Sequence, residues 1–211
     1  MKIGILGGTG RMGRGLARGY AKAEHEVFLG ARNPEKAIKA AAAIEGNVSG
    51  GTLDDAAREG DVIVLAVPFR AAADVMRRQQ DRLAGKIVVD ITNPFGAVPP
   101  GQTSGIEHNA QAAGTARWVA AYKTNFWKTL EQPALANGIR HDVLVCSDDE
   151  NAKQAVMQLI EQTEFLAVDC GKLQNARTLD LMVPLMLELD NRYSYETLSS
   201  WKFLHVPYTK G

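Results

Sequence analysis

Cysteine is almost absent from the 211 residues: Cys146 and Cys170 are the only two, and neither falls in a C-x-x-C or zinc-ligand spacing. A disulfide framework is thereby excluded, and both read as buried free thiols in or beside strands, as in a reducing cytoplasm. Net charge is lacking too. Twenty-four basic side chains balance 24 acidic ones, which removes the electrostatic case for nucleic acid or an anionic membrane as partner. No apolar run has the length of a bilayer-spanning helix, and no signal peptide is expected ahead of the glycines that begin at Gly7. The four histidines, His25, His108, His141 and His205, are scattered, so none is assigned to catalysis or to a metal. None of Tyr20, Tyr122, Tyr193, Tyr195 or Tyr208 is followed four residues on by lysine, so a tyrosine–lysine proton relay is also missing. The length suits one nucleotide domain with a small appendage.

What the chain does have is a glycine-rich start. Lys2 to Leu6 (KIGIL) is an apolar, isoleucine-rich run of the kind found in a buried parallel strand, and it breaks directly into Gly7-Gly8-Thr9-Gly10-Arg11-Met12-Gly13. Arg11 to Ala23 follows with helical composition. Gly8-x-Gly10-x-x-Gly13 between a strand and a helix fits the dinucleotide fingerprint: glycines permit the tight turn, backbone approach to a pyrophosphate, and close helix packing. The free amides and positive dipole end of the helix would then face the phosphates. A glycine-rich loop that merely turns the chain is the competing reading.

A second strand over Glu26 to Gly30 ends in Ala31-Arg32-Asn33-Pro34-Glu35-Lys36. An acid here would hold a free ribose hydroxyl, whereas an arginine accommodates a 2′-phosphate. The acid is missing. Arg32, with Lys36 one helical turn on and Thr9 as hydroxyl donor, therefore predicts NADP(H) over NAD(H). The alternative is that Arg32 and Lys36 are ordinary solvated charges, but cations at a helix N-terminus oppose its dipole.

The rest of the chain alternates strands and helices. Asn33 and Pro34 open an alanine-rich helix over Glu35 to Glu45; Asn47 to Leu53 is a weak strand, and Asp54 to Glu59 a brief helix. Asp61 to Val67 reads as a strand covered on both faces and should lie beside the first. Ala66, Val67 and Pro68 then fall at its carboxyl end, where Phe69 either walls a nicotinamide or caps the core. Arg70 to Leu83 is a helix and Lys86 to Ile91 a strand ending in Thr92-Asn93-Pro94-Phe95. Ala97 to Gln102 is an irregular loop, equally a lid or a passive connection. Ser104 to Ala113 is expected as a helix, and Arg117 to Tyr122 as a strand delivering Lys123, Thr124 and Asn125 to the same edge. Asp142 to Cys146 is a further strand. Ser147 to Glu150 reads as a capping box, Ser147 the N-cap, opening a helix to about Gln162, and Phe165 to Asp169 is the last strand. Leu173 to Leu189 is a long helix so apolar on all sides that either a second subunit or the protein's own core must cover it. The order predicts an α/β Rossmann-like, doubly wound, mostly parallel sheet with a small C-terminal helical extension. We place an NADP-binding domain over 1–147 and a small segment over 148–211 that completes the acceptor site and supplies a dimer interface.

These motifs together resemble the NADP oxidoreductases dependent on the deazaflavin coenzyme F-420, and also the nucleotide domain of the six-transmembrane metalloreductases. The shared residues are Gly7 to Gly13, Gly30-Ala31-Arg32, Ala66-Val67-Pro68, Val89 to Asn93, Cys146 to Asp149, Asp169 to Leu173 and Pro184-Leu185. The resemblance implies cofactor contacts at Thr9, Arg11, Met12, Arg32, Lys36, Val67, Pro68 and Asn93, and Gly8, Gly10, Gly13, Ala31, Asn33, Ala66 and Pro94 beside them complete the expected cofactor site. It implies an acceptor ring between Lys123, Thr124 and Asn125 on one side and Arg177 to Met182 on the other. The 122–126 segment lacks the His-Thr-Ile-Pro type sequence of the F-420 enzymes. Lys123 there either steadies an anionic ring or phosphate tail, or bridges to a carboxylate.

Hydride transfer between stacked rings needs alignment rather than a nucleophile, so no side chain is certain as a catalyst and Lys123 is the one candidate. The expected activity is a cytoplasmic, homodimeric NADP(H)-dependent oxidoreductase passing a hydride to a small-molecule acceptor, F-420 first. A flavin or ferric reductase and a non-catalytic NADP(H) sensor are the alternatives. A ketone or imine reductase, which would want a general acid near the nicotinamide, ranks below them.

Overall fold

Ile3, Ile5 and Leu6 are almost wholly excluded from solvent, and this first strand, β1 (Lys2–Leu6), is the centre of the sheet. The computed structural model describes residues 1–96, 98 and 103–204. After β1 come α1 (Arg11–Lys22), β2 (Glu26–Ala31), α2 (Pro34–Ala42), β3 (Val48–Thr52) and α3 (Leu53–Glu59). Then follow β4 (Val62–Leu65), α4 (Phe69–Leu83), β5 (Ile87–Asp90), α5 (Gly105–Ala110) and β6 (Arg117–Ala120). The strands form one six-stranded sheet in the order β3-β2-β1-β4-β5-β6, and every pairing is parallel. Ile5 lies opposite Leu29 on one side and Val64 on the other, which fixes the register at the centre of the core.

Two apolar layers cover the sheet. One joins Ile5, Leu29, Val64 and Val89 to Leu16 and Tyr20 of α1; the other joins Leu6, Ile63, Leu65 and Val88 to Met76 and Leu83 of α4. Complete burial of a side chain such as Leu16 contributes roughly 1.5–3 kcal/mol, which is why α1 presents its leucine and alanines inward and its arginines outward.

The chain continues through β7 (Asp142–Val145), α6 (Glu150–Glu161), β8 (Leu166–Asp169) and α7 (Ala176–Arg192). β7 and β8 pair in parallel, and β7 meets β6 through an antiparallel bridge between Ala120 and Cys146. Val143, Val145, Val156 and Phe165 belong to the same core layer as Ile5 and Leu16.

Several local expectations need correction. The N-cap of α6 is Asp149, whose Oδ1 accepts from Ala152 N at 2.9 Å. Ser147 instead donates to the Trp118 carbonyl at 2.7 Å. The helix expected from Leu173 is a 3-10 turn over Leu173–Asn175 before α7 begins, and α7 runs on to Arg192 with Pro184 inside it. Only Gly105–Ala110 of the 104–113 segment is helical. Cys146 and Cys170 are free, as expected, the first buried and the second partly so. The loop expected over 97–102 lies, apart from Val98, outside the described residues, as do His205 and Tyr208.

Candidate functional site

The carboxyl ends of β1, β2, β4, β5 and β6 share one edge, and the glycine turn stands at its centre. Gly7 and Gly8 both donate to the Gly30 carbonyl, at 2.9 and 3.1 Å, which ties the turn to the end of β2. Each glycine has its own reason. Gly7 has φ +94°, a left-handed conformation that glycine adopts without penalty. A Cβ on Gly13 would lie 2.7 Å from the Gly7 carbonyl oxygen, so glycine there lets α1 pack against the turn. Gly10 is different: its φ is −71°, and a Cβ would meet nothing nearer than the Gly7 oxygen at 3.4 Å. Neither backbone conformation nor packing of the protein demands glycine at Gly10, whose outer side is open. Gly10 is also the N-cap of α1 and offers no side chain to the free amides, and no acid sits in the first turn. That leaves an uncapped helix terminus, the arrangement that receives a phosphate.

A cavity of about 250 Å³ opens beside it. Gly7, Thr9 and Gly10, then Ala31 and Arg32 from β2, and Ala66, Val67 and Pro68 after β4 form much of its wall, and Leu53, Ala71 and Val75 supply apolar surface. No acidic side chain lines it. Arg32 is exposed and has no hydrogen-bond or ionic partner among the described residues, and Lys36 likewise has no partner for its ammonium group. The Asn33 side chain is spent on capping α2 through Lys36 N at 3.1 Å. Arg11 lies over the Trp127 ring, 5.0 Å from its centroid, a cation–π contact that holds the guanidinium beside the turn.

On the other side of the edge, β5 and β6 end in a buried polar network. Asp90 accepts from Thr92 N at 2.7 Å and from Asn109 Nδ2 at 2.8 Å. Asn93 donates to the Lys123 carbonyl at 2.9 Å, and its Oδ1 has no partner among the described residues. Lys123 is 1% exposed. Its Nζ donates to the Thr92 carbonyl at 2.6 Å and to Asp180 Oδ1 of α7 at 2.8 Å. The other oxygen of Asp180 accepts from Gly105 N at 2.7 Å. Phe69 is half-buried and stands 5.7 Å, centroid to centroid, from His108 of α5.

The cofactor candidates are therefore gathered along one edge, with Pro94 buried and packed toward Gly105. The acceptor candidates are not gathered. Lys123, Thr124 and Asn125 are all buried, and the Asn125 amide is bonded to the Asp142 carbonyl at 3.0 Å. Arg177 forms a bidentate pair with Glu107, which holds that carboxyl at about 2, far below its ordinary value. Met182 faces an apolar groove with Leu144, Cys170 and Trp201. Sequence reading missed Asp180, whose pairing with Lys123 spans 57 residues, and Trp127. The unusual Lys123 was itself the signal for a buried acid.

A sequence model of the family described as NADP oxidoreductase, coenzyme F420-dependent, matches residues 2–94. The F420-dependent NADP reductase of Methanocaldococcus jannaschii is 34% identical over 214 residues, covering 92% of this chain and 94% of the relative. The rat metalloreductase STEAP3 is 29% identical over 95% of this chain but only 38% of its own length. A solved structure from Arthrobacter sp. FB24, provisionally described as an F420-dependent NADP reductase, superposes with a TM-score of 0.79 at 28% identity, covering 92% of this chain and 95% of that one. The uncapped glycine turn, the acid-free cavity under Arg32 and this similarity over nearly the full length converge on one conclusion: the chain belongs to the family of F420-dependent NADP reductases.

Proposed function

We propose that the protein transfers a hydride between NADP(H) and coenzyme F420. The observation that carries the cofactor half is Gly10, a glycine that neither φ nor packing requires, at an uncapped helix terminus beside the unpaired Arg32. Family membership supports the acceptor half. The nicotinamide of NADP(H), when bound, would give or take the hydride. The backbone from Gly8 to Gly13 receives the diphosphate, with Arg11 and Met12 in the first turn of α1. Arg32, Lys36 and Thr9 hold the 2′-phosphate, and Ala31 and Asn33 shape the loop that presents them. Ala66, Val67 and Pro68 wall the nicotinamide side, with Asn93 and Pro94 beyond. The unpartnered Asn93 Oδ1 offers an acceptor to the cofactor.

The acceptor would lie toward the 123–125 turn and α7, where Thr124 and Asn125 act from within the fold and Arg177 and Met182 are the more exposed candidates. The Lys123–Asp180 pair supports a positioning role for Lys123, because its ammonium group is already bonded to a carboxylate and a carbonyl. The protein works as a cytoplasmic homodimer. Leu181 and Leu185, one turn apart on α7 and 77% and 51% exposed, support a subunit contact there, and among the described residues no helix is long and apolar enough to cross a membrane.

The test is anaerobic oxidation of NADPH with F420, free flavin or ferric chelate offered separately. Rapid loss with F420 alone is expected. Loss only with ferric chelate would move the protein to the metalloreductase chemistry, and tight NADPH binding without turnover would make it a sensor. Elution at the mass of a single chain would remove the dimer.

A further inference from the structure

Of the two cations that the sequence singles out for the 2′-phosphate, Arg32 lines the cavity beside the glycine turn and Lys36 does not; a different residue, Arg70, lines it with Arg32. The glycine turn that follows β1 lies between the end of β2, which carries Arg32, and the start of α4, which carries Arg70. The two arginines thus line one cavity from elements on its two flanks. Resting on the NADP(H) reading, we infer that Arg70 is a second guanidinium for the adenosine 2′-phosphate and helps to set the preference for the phosphorylated dinucleotide.

Arg70 is exposed and has no hydrogen bond or ion pair among the described residues. Asp74, one turn along α4 and the nearest acid on that helix, is already bonded to Arg77 at 2.6 Å. The first turn of α4 contains no acid, and its N-cap, Pro68, makes no side-chain cap. A cation at the positive end of a 15-residue helix is unfavourable unless something else holds it. Among the described residues nothing does. Arg32 and Arg70 share a cavity of about 250 Å³ with no carboxylate in its wall, so the like charges raise its potential together. A phosphate monoester at neutral pH carries nearly two negative charges, more than one guanidinium neutralises, and Arg70 is the second cation of the same cavity. Leu53, Ala71 and Val75 meanwhile give the adenine an apolar wall without competing for charge.

The test compares Arg70→Ala, Arg70→Lys and Arg32→Ala with the unaltered full chain, measuring the Kd of NADPH, NADH, 2′,5′-ADP and 5′-ADP by calorimetry at low ionic strength. Arg70→Ala should weaken NADPH and 2′,5′-ADP about five- to tenfold and leave NADH and 5′-ADP within about twofold, with Arg70→Lys recovering part of the loss. Arg70 makes no contact that the fold depends on, so the melting temperature of the free variant should be unchanged. Equal losses for phosphorylated and unphosphorylated ligands would overturn the assignment to the 2′-phosphate, as would no loss at all. If Arg32→Ala loses NADPH selectively while Arg70→Ala is silent, only the role of Arg70 falls. If the unaltered protein binds NADH as tightly as NADPH, the NADP(H) reading falls with it.

Discussion

Breaking the Lys123–Asp180 pair should cost more in stability than any other charge substitution at the site. The two groups are 2.8 Å apart, and their side chains are 0% and 7% exposed. Removing one partner from such a pair leaves the other charge buried without compensation, a loss of about 3–5 kcal/mol. Lys123→Met strands Asp180 with Gly105 N as its remaining donor; Asp180→Leu strands the ammonium group with the Thr92 carbonyl. For a chain of this size each kcal/mol lowers Tm by roughly 2–4 °C, so either single variant should melt about 6–20 °C below the parent. The double variant removes both charges. Its remaining cost is the loss of partners for Thr92 O and Gly105 N, about 1–3 kcal/mol each, so it should lose clearly less than the sum of the singles. Urea denaturation of the four proteins, with m-values compared, closes the cycle. Single losses below about 1 kcal/mol, or strict additivity, would refute the buried pair. Acceptor turnover measured on the same variants separates positioning from contact: a side chain that is 1% exposed should act on kcat through the shape of the 123–125 turn, while NADPH affinity stays near the parent value.

Gly10→Ala should leave the free fold within about 1 kcal/mol of the parent, since its φ is ordinary and the nearest atom is 3.4 Å from the added methyl; NADPH affinity should fall at least about tenfold, measured by titration. Gly13→Ala should behave in the opposite sense, melting early because its methyl would stand 2.7 Å from the Gly7 oxygen. Arg32→Ala should weaken NADPH about tenfold or more beyond any effect on NADH, the size of a lost charge-assisted pair; equal losses would remove the 2′-phosphate assignment. In acid, Glu107 and Asp149 are both held at about 2, by hydrogen bonds from Arg177 and Arg117 respectively. Because their folded values lie below the ordinary 4.5 and 3.8, their contribution is complete above that range and is lost as pH falls toward 2. Urea midpoints taken between pH 6 and pH 2 should show that decline, and Arg117→Gln should make it shallower.

The central strands were legible because burial on both faces writes itself as an unbroken apolar run: KIGIL and the VIVL of β4 fall where the sequence puts them. Element ends were less so. At the start of α6 three capping residues stand in a row, Ser147, Asp148 and Asp149, and spacing alone cannot say which oxygen reaches a free amide. The Ser147 hydroxyl is drawn to the Trp118 carbonyl, a contact made by the fold of β6, and Asp149 takes the cap. The apolar surface of α7 was read as needing cover on several sides. The structure divides it, with Leu179, Val183 and Met186 inside and Leu181 and Leu185 outside.

The cofactor half of the site differs from the acceptor half in how its information is carried. A glycine turn binds through backbone amides, and its requirements are local: a strand before it, a helix after it, and no Cβ at Gly10. Such a site can be written in seven consecutive residues, Gly7 to Gly13. The proposed acceptor half is built of pairs far apart in the chain, Lys123 with Asp180, Glu107 with Arg177 and Asn93 with the Lys123 carbonyl. In each, one partner decides whether the other faces a ligand or the interior. Lys123 showed this most directly. Sequence places it at the active edge and leaves open an anionic ligand or a carboxylate as its partner; Asp180, from a helix that begins more than 50 residues later, is that carboxylate and takes the charge into the core. The pair braces the backbone around Thr92 and Lys123 from within the core. Hydride transfer between two rings asks for such a brace, since the chemistry belongs to the rings and their separation is what the protein controls.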